Sequence, residues 1–377
     1  RLEDQRNENA RLIGRKDIDD LEAILAAVNT GEPEGFHKVH NDYDTIFTWD
    51  YEKGKRPRLV KLYEKAKEAQ WNAERDLPWE VDVDQEKLVI AQAMSNGGFG
   101  VGLDFSGTSL AKWGPEEWIR FGVESQNWML SQFLHGEQGA LVCTAKIVES
   151  VPWYDAKLYG STQVMDEARH VEVFGKYLQE KLSGYYPINV HLKALLDDII
   201  ADDRWDMTYL GMQIMVEGLA LAAFGVMFQL TTEPLLKQLL RYVMADEARH
   251  VAFGVISLQE FYQELSDAEM RERQEFAFEA AVRMRDRFLQ QEVWERLGVP
   301  PKEVVPVLLQ DVPERNQFQT LLFSKIVPNC KKLGLLDRSG GWLRERFTEL
   351  GVIQFESWED TGESYESFSQ VPEKASA

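Results

Sequence analysis

The sequence predicts an all-α fold, a four-helix bundle with additional flanking helices, on three observations. Apolar residues recur at three- and four-residue spacing over long segments while strand signals are sparse. The pentapeptide Asp-Glu-Ala-Arg-His occurs twice, at 166–170 and at 246–250. An isolated glutamate stands thirty residues ahead of the glutamate of each copy, Glu137 before Glu167 and Glu217 before Glu247.

The apolar period places helices, in chain order, at 17–28, 57–74, 87–95, 115–149, 153–182, 189–228, 233–264, 267–296 and 313–333. Breakers separate them. The Gly/Ser-rich stretch 95–109 follows the third helix, SGYYP (183–187) follows the fifth, TTEP (231–234) the sixth and LGVPP (297–301) the eighth. The expected organisation is an N-terminal extension (1–56), a helical domain (57–296), a C-terminal helical extension packed on the bundle (297–350) and an acidic, loosely ordered tail (351–377). Residues 211–230 imitate a membrane span, with one charge, Glu217, in twenty residues. A carboxylate at the centre of lipid is costly and no basic cluster flanks the stretch, so it reads as a bundle-core helix and not a span.

A net charge of −21 disfavours nucleic acid and anionic membranes as partners and favours a basic docking partner. Cys143 and Cys330 form no metal-binding or redox pattern and fit inert core thiols in a reducing cytoplasm. The N-terminal residues RLEDQRNENARLIG lack the apolar region of a signal peptide, which also suits a cytoplasmic location.

Glu and His three residues apart share one helix face, so Glu167 with His170, and Glu247 with His250, each present a carboxylate and an imidazole together. Thirty residues finish one helix and return along the next. Two such hairpins packed face to face collect four carboxylates and two imidazoles in a bundle core, a donor set suited to iron or manganese. Without metal the carboxylates would repel one another. A single Glu-x-x-His is more often a solvated pair, but two copies with equal spacing, and Glu217 within an apolar run, are not explained that way. Glu124, Glu172 and His135 fall on other faces and read as ordinary polar positions. Asp166, Asp246, Arg169 and Arg249 adjoin the candidate ligands, the aspartates as orienting partners for the histidines and the arginines as holders of the aspartates. Phe133, Ala140 and Leu141 share a face with Glu137, and Ile214, Ala220, Leu221 and Phe224 share one with Glu217. These seven are candidates for an apolar substrate pocket or for plain core packing.

With these motifs the chain resembles the ferritin-like di-iron carboxylate oxygenases, whose fold includes the ribonucleotide-reductase-like bundle. Its repeated DEARH is most similar to the signature of bacterial multicomponent monooxygenase hydroxylase subunits, and LYEKAKEAQWNAERDLPWEVD (62–82) is similar to their first conserved helix. The resemblance implies Glu137, Glu167 and His170 on one iron, Glu217, Glu247 and His250 on the other, and a bridging carboxylate among them. It also implies Asp166 bonded towards His250 and Asp246 towards His170. Phe174 stands where radical-generating reductase subunits carry tyrosine, Val243 where N-oxygenases carry a third histidine, and Leu221 where the hydroxylases carry threonine. The implied activity is an O2-dependent monooxygenase with two irons, or a manganese–iron pair, acting on an apolar or aromatic substrate. Electrons would come from a separate reductase or ferredoxin, because the chain shows no flavin, nicotinamide or iron–sulfur motif. A desaturase or oxidase, a radical-generating subunit and an iron-storage bundle are the competing readings, and a homodimer is compatible with all of them.

Overall fold

The computed structural model describes residues 18–28, 31, 35–99, 103–310 and 319–368, and among them there is no β-strand. The all-α expectation holds. The elements are α1 (Leu21–Ala26), α2 (Pro57–Glu68), α3 (Gln85–Ser95), α4 (Pro115–Ser150), α5 (Tyr154–Lys181), α6 (Val190–Ala201), α7 (Trp205–Leu230), α8 (Pro234–Phe261), α9 (Asp267–Arg287), α10 (Gln291–Arg296), α11 (Pro301–Leu308), α12 (Ile326–Lys332), α13 (Arg338–Glu349) and α14 (Thr361–Ser364). Two hairpins, α4–α5 and α7–α8, form a four-helix bundle, and the other helices pack around it.

Local chemistry sets the ends of the bundle helices. Pro115 opens α4 at a position that lacks an intrahelical partner anyway, and the Gly114 N–H donates to Glu117 Oε2 at 2.8 Å. Val151 ahead of Pro152 is extended, which ends α4 and leaves a tight turn into α5. At the other hairpin, Pro234 opens α8 and the buried Glu233 carboxylate accepts from the Leu235 and Leu236 N–H groups, both at 2.6 Å. The Tyr177 hydroxyl of α5 donates to the same carboxylate at 2.9 Å, tying one hairpin to the other.

The expected helix 189–228 is two helices. Asp202 is extended and takes both sides of the Arg204 guanidinium, and the buried Lys146 Nζ of α4 donates to the end carbonyls Ile199 O and Ile200 O, each at 3.1 Å, and to Asp202 O. A side chain from another helix therefore satisfies the break. The expected helix 267–296 also divides, at Gln290, whose φ of 54° and ψ of 43° no helix accommodates. Helices α11 and α13 lie within the expected C-terminal helical stretch 297–350, although the apolar period gives neither of them a range. Of the expected helix 313–333 the described part is helical at 319–321 and at Ile326–Lys332 with a turn between them, and residues 311–318 lie outside the described residues.

The C-terminal tail corrects its expectation as far as Phe368. Thr361, Gly362 and Tyr365 are buried, and Gly362 lies so close to Val255 of α8 that an added Cβ would sit 2.9 Å from it. Residues 369–377 lie outside the described residues. Trp205–Leu230 is long and apolar enough to cross a membrane, but 83% of its apolar window is buried within the protein, the place expected of a bundle-core helix.

Candidate metal centre

Helices α4, α5, α7 and α8 bring all six candidate ligands together. Glu137, Glu167, His170, Glu217, Glu247 and His250 are buried and form two overlapping groups. One holds Glu137, Glu167, His170 and Glu247, the other Glu167, Glu217 and His250, each with its donor atoms within 4.8 Å of one another. The imidazoles face each other with ring centroids 5.8 Å apart.

The two helix-borne glutamates cross between the histidines. His170 Nδ1 lies 3.1 Å from Glu247 Oε1 on the other hairpin and 3.4 Å from Glu167 on its own helix. His250 Nδ1 lies 3.0 Å from Glu167 and 3.4 Å from Glu247. Each of these carboxylates thus stands between both imidazoles, the position of a bridge, whereas Glu137 approaches only His170, at 3.1 Å. The arrangement departs from a division of ligands by hairpin.

The far nitrogen of each imidazole is held by an aspartate from the opposite hairpin. His170 Nε2 pairs with Asp246 Oδ2 and His250 Nε2 with Asp166 Oδ2, both at 3.1 Å. This is the cross-bonding that the resemblance implied. An Nε2–H given to aspartate leaves the Nδ1 lone pair of a neutral imidazole directed at carboxylates. Arg169 clasps both aspartates, Asp166 at 2.6 Å and Asp246 at 3.0 Å, and Arg249 pairs with Asp246.

Three further residues complete this shell. Gln163, one turn before Glu167, donates its amide to Glu167 Oε1 at 3.0 Å and to Glu217 Oε1 at 2.9 Å. Gln70 donates to Asp166 Oδ1 at 3.1 Å and accepts from Arg169 at 2.8 Å, and the Trp71 indole N–H donates to Asp246 Oδ2 at 2.8 Å. Sequence reasoning missed these roles. A signal existed for Gln163, a buried polar residue four positions before a ligand, and for Trp71, which falls within the 62–82 motif.

The group as it stands needs cations. Glu167 Oε2, Glu217 Oε2, both Glu247 oxygens and His250 Nδ1 are buried and make no hydrogen bond. With neutral imidazoles, the four glutamates and two aspartates carry six negative charges, Arg169 and Arg249 return two, and two divalent ions would neutralise the four left over. Oxygen-rich donors with one nitrogen per ion fit iron or manganese. In the metal-free chain protons take the place of these ions. Burial, then the nearby Glu247 charge, pushes Glu137 well above the usual carboxylate range, and burial with Glu167 and Glu247 does the same to Glu217. Burial alone would lower the imidazoles, but Glu137 beside His170 and Glu167 beside His250 outweigh it and draw both well upward. Burial would likewise raise Glu167, yet His250 and His170 hold it well below the ordinary carboxylate range.

Residues 210–216, the turns leading to Glu217, are a π-helix. Widened turns of this kind occur mostly at functional sites. Gly254 of α8 makes room for the bulge, since a Cβ there would lie 2.6 Å from Gln213 Cβ. The expected pocket residues are core. Phe133 packs on Phe224 at 4.6 Å between ring centroids and Phe224 stacks on Phe174 at 5.6 Å. Ala140, Ile214 and Leu221 are buried, and Leu141 and Ala220 are half-buried. Two cavities open elsewhere, and none of the seven lines either. His135 and Glu124 lie outside the centre, bonded to the Tyr186 carbonyl and hydroxyl.

No protein-family model and no curated protein sequence matches the chain. Among solved structures it is similar to variants of an R2-like ligand-binding oxidase with reconstituted Mn/Fe cofactor. One aligns at 20% identity over 74% of this chain and 94% of that one with a TM-score of 0.48. Another aligns at 18% identity over 81% and 95% with a TM-score of 0.42.

Proposed function

We propose that the chain is a dioxygen-dependent oxidoreductase with two metal ions, Fe–Fe or Mn–Fe, that oxidises an apolar or aromatic organic substrate with electrons from a separate donor protein. One observation carries this reading: four carboxylates and two imidazoles are buried together, several of their donor atoms make no hydrogen bond, and an aspartate holds Nε2 of each imidazole while its Nδ1 faces the carboxylates. Glu137, Glu217, His170 Nδ1 and His250 Nδ1 would each hold one ion, and Glu167 and Glu247 would span the two.

When bound, the pair supplies the redox capacity to bind and reduce dioxygen. The chain supplies the surroundings. Asp166 and Asp246 fix the imidazoles, Arg169 and Arg249 hold those aspartates in place, and Gln163 holds Glu167 and Glu217 in register across the two hairpins. Phe133, Phe174 and Phe224 make a dry wall one to two turns from the ligands, which suits an apolar substrate and keeps water out. Phe174 gives no phenol at the position one turn after His170 and so does not favour radical generation.

The test is anaerobic loading with ferrous iron followed by mixing with air-saturated buffer. Two ions per chain and oxygen uptake that Glu217→Ala abolishes support the proposal. Loading without oxygen uptake assigns a structural centre, and many ions per chain a storage bundle. Product analysis with labelled oxygen separates oxygen insertion from desaturation or simple oxidase chemistry.

A further inference from the structure

A second site is built at the far end of α4. A cavity of about 450 Å³ lies between α3, the residues Gly98, Phe99, Leu103 and Phe105 that follow it, the start of α4 and the α9–α10 junction. Its size falls in the range of small-molecule sites. Ser125 on its wall and Glu137 share α4 twelve residues apart, about 18 Å at 1.5 Å per residue, so this is not the metal centre.

The lining is unlike the rest of the surface. Charged residues make up 28% of the chain, yet none of the described residues that line this cavity is charged. Phe105, Trp118, Phe121, Phe288 and Trp294 supply aromatic walls, with Phe121 stacked on Trp294 at 4.3 Å between centroids. Aromatic rings fit rings. The polar groups present are neutral amides and one hydroxyl, from Gln92, Asn96, Gln290, Gln319 and Ser125.

Gln290 is the informative one. It sits in the left-handed region at φ 54°, where glycine is the unstrained choice, and no glycine is used. Strained residues of this kind cluster at ligand sites. Ser125 Oγ donates to its amide oxygen at 2.8 Å, which fixes the side chain in the cavity wall, and its amide nitrogen has no partner among the described residues. An oriented donor is thus left at the edge of an uncharged aromatic chamber.

We infer that this cavity binds an uncharged, ring-bearing small molecule with a hydrogen-bond acceptor that the Gln290 amide nitrogen recognises. The inference stands independently of the metal centre's chemistry. The probe is 2-naphthol, titrated by calorimetry into the full chain with its metal as isolated, and 2-naphthoate is the charged control. One 2-naphthol binds per chain, and 2-naphthoate binds at least about tenfold more weakly, because none of the described lining residues is a cation that could pair its carboxylate. Ala93→Phe fills the chamber and weakens 2-naphthol at least about tenfold, about one step of 1.4 kcal/mol. Gln290→Gly removes the donor and the backbone strain together, so it weakens 2-naphthol while raising Tm, a pair of effects that a merely structural glutamine would not give. Absence of saturable binding, equal affinity for 2-naphthoate, or wild-type affinity in both variants overturns the inference.

Discussion

Metal loading should release about two protons or more per chain near pH 7. In the metal-free protein the carboxyls of Glu137 and Glu217 and the imidazoles of His170 and His250 are drawn well above their ordinary values, and it is the Glu137 and Glu167 charges that raise the imidazoles, so the Glu137–His170 pair and the Glu167–His250 pair each hold at least one proton that metal ligands cannot keep. The overall constant for binding both ions should therefore fall by at least about two powers of ten per unit drop in pH, about 2.7 kcal/mol at 1.36 kcal/mol for each proton and unit. Calorimetry of ferrous or manganous ion binding, repeated at one pH in buffers of different ionisation enthalpy, counts the protons directly. A release of one proton or none would refute the reasoning, because it would mean that the six residues are not packed as one electrostatic unit.

The same shifts set the stability of the metal-free chain. Raised groups bind more protons folded than unfolded, so their contribution is lost as pH rises from the ordinary carboxylate value of 4.5 for Glu137 and Glu217, and from the imidazole value of 6.5 for His170 and His250. Glu167 and Asp246, both depressed, lose theirs as pH falls below the ordinary carboxylate range. Metal-free Tm should thus decline from mildly acidic to alkaline pH while metal-loaded Tm does not, and parallel curves would contradict this. The burial of Glu217 among carboxylates, against the pairing of Glu167 with two imidazoles, makes Glu217→Gln the substitution that raises metal-free Tm at neutral pH while costing metal; a lowered Tm in a folded variant would speak against it. Trp71→Phe removes the donor to Asp246 and should weaken metal binding about 10- to 100-fold in chelator competition, where wild-type affinity would leave the indole a packing role only. Gly254→Ala should cost about 1–3 kcal/mol in urea unfolding by pressing on Gln213, and no cost would mean that the π-helix yields freely.

The bundle and its six convergent residues were legible because a duplicated motif writes the same geometry twice, with an offset of 80 between His170 and His250. Helical spacing then fixes which residues share a face. What stayed hidden depends on contacts between elements distant in sequence. The break after Ala201 is satisfied by Lys146, more than fifty residues earlier, and the break at Gln290 carries no glycine or proline to announce it. The crossing of Glu167 and Glu247 between the histidines follows from how the hairpins mesh, which no spacing reports. The acidic residues near the C-terminus read as solvated, yet Thr361 is buried because Asn329 receives its N–H at 2.8 Å and gives its own amide to the hydroxyl at 3.2 Å.

The most direct test of the dimetal reading is anomalous diffraction at the iron and manganese edges from crystals of the metal-loaded chain. Two peaks about 3.5–4 Å apart are expected, one beside His170 Nδ1 and Glu137, the other beside His250 Nδ1 and Glu217, with Glu167 and Glu247 reaching both. A single peak, or peaks away from these six residues, would contradict it.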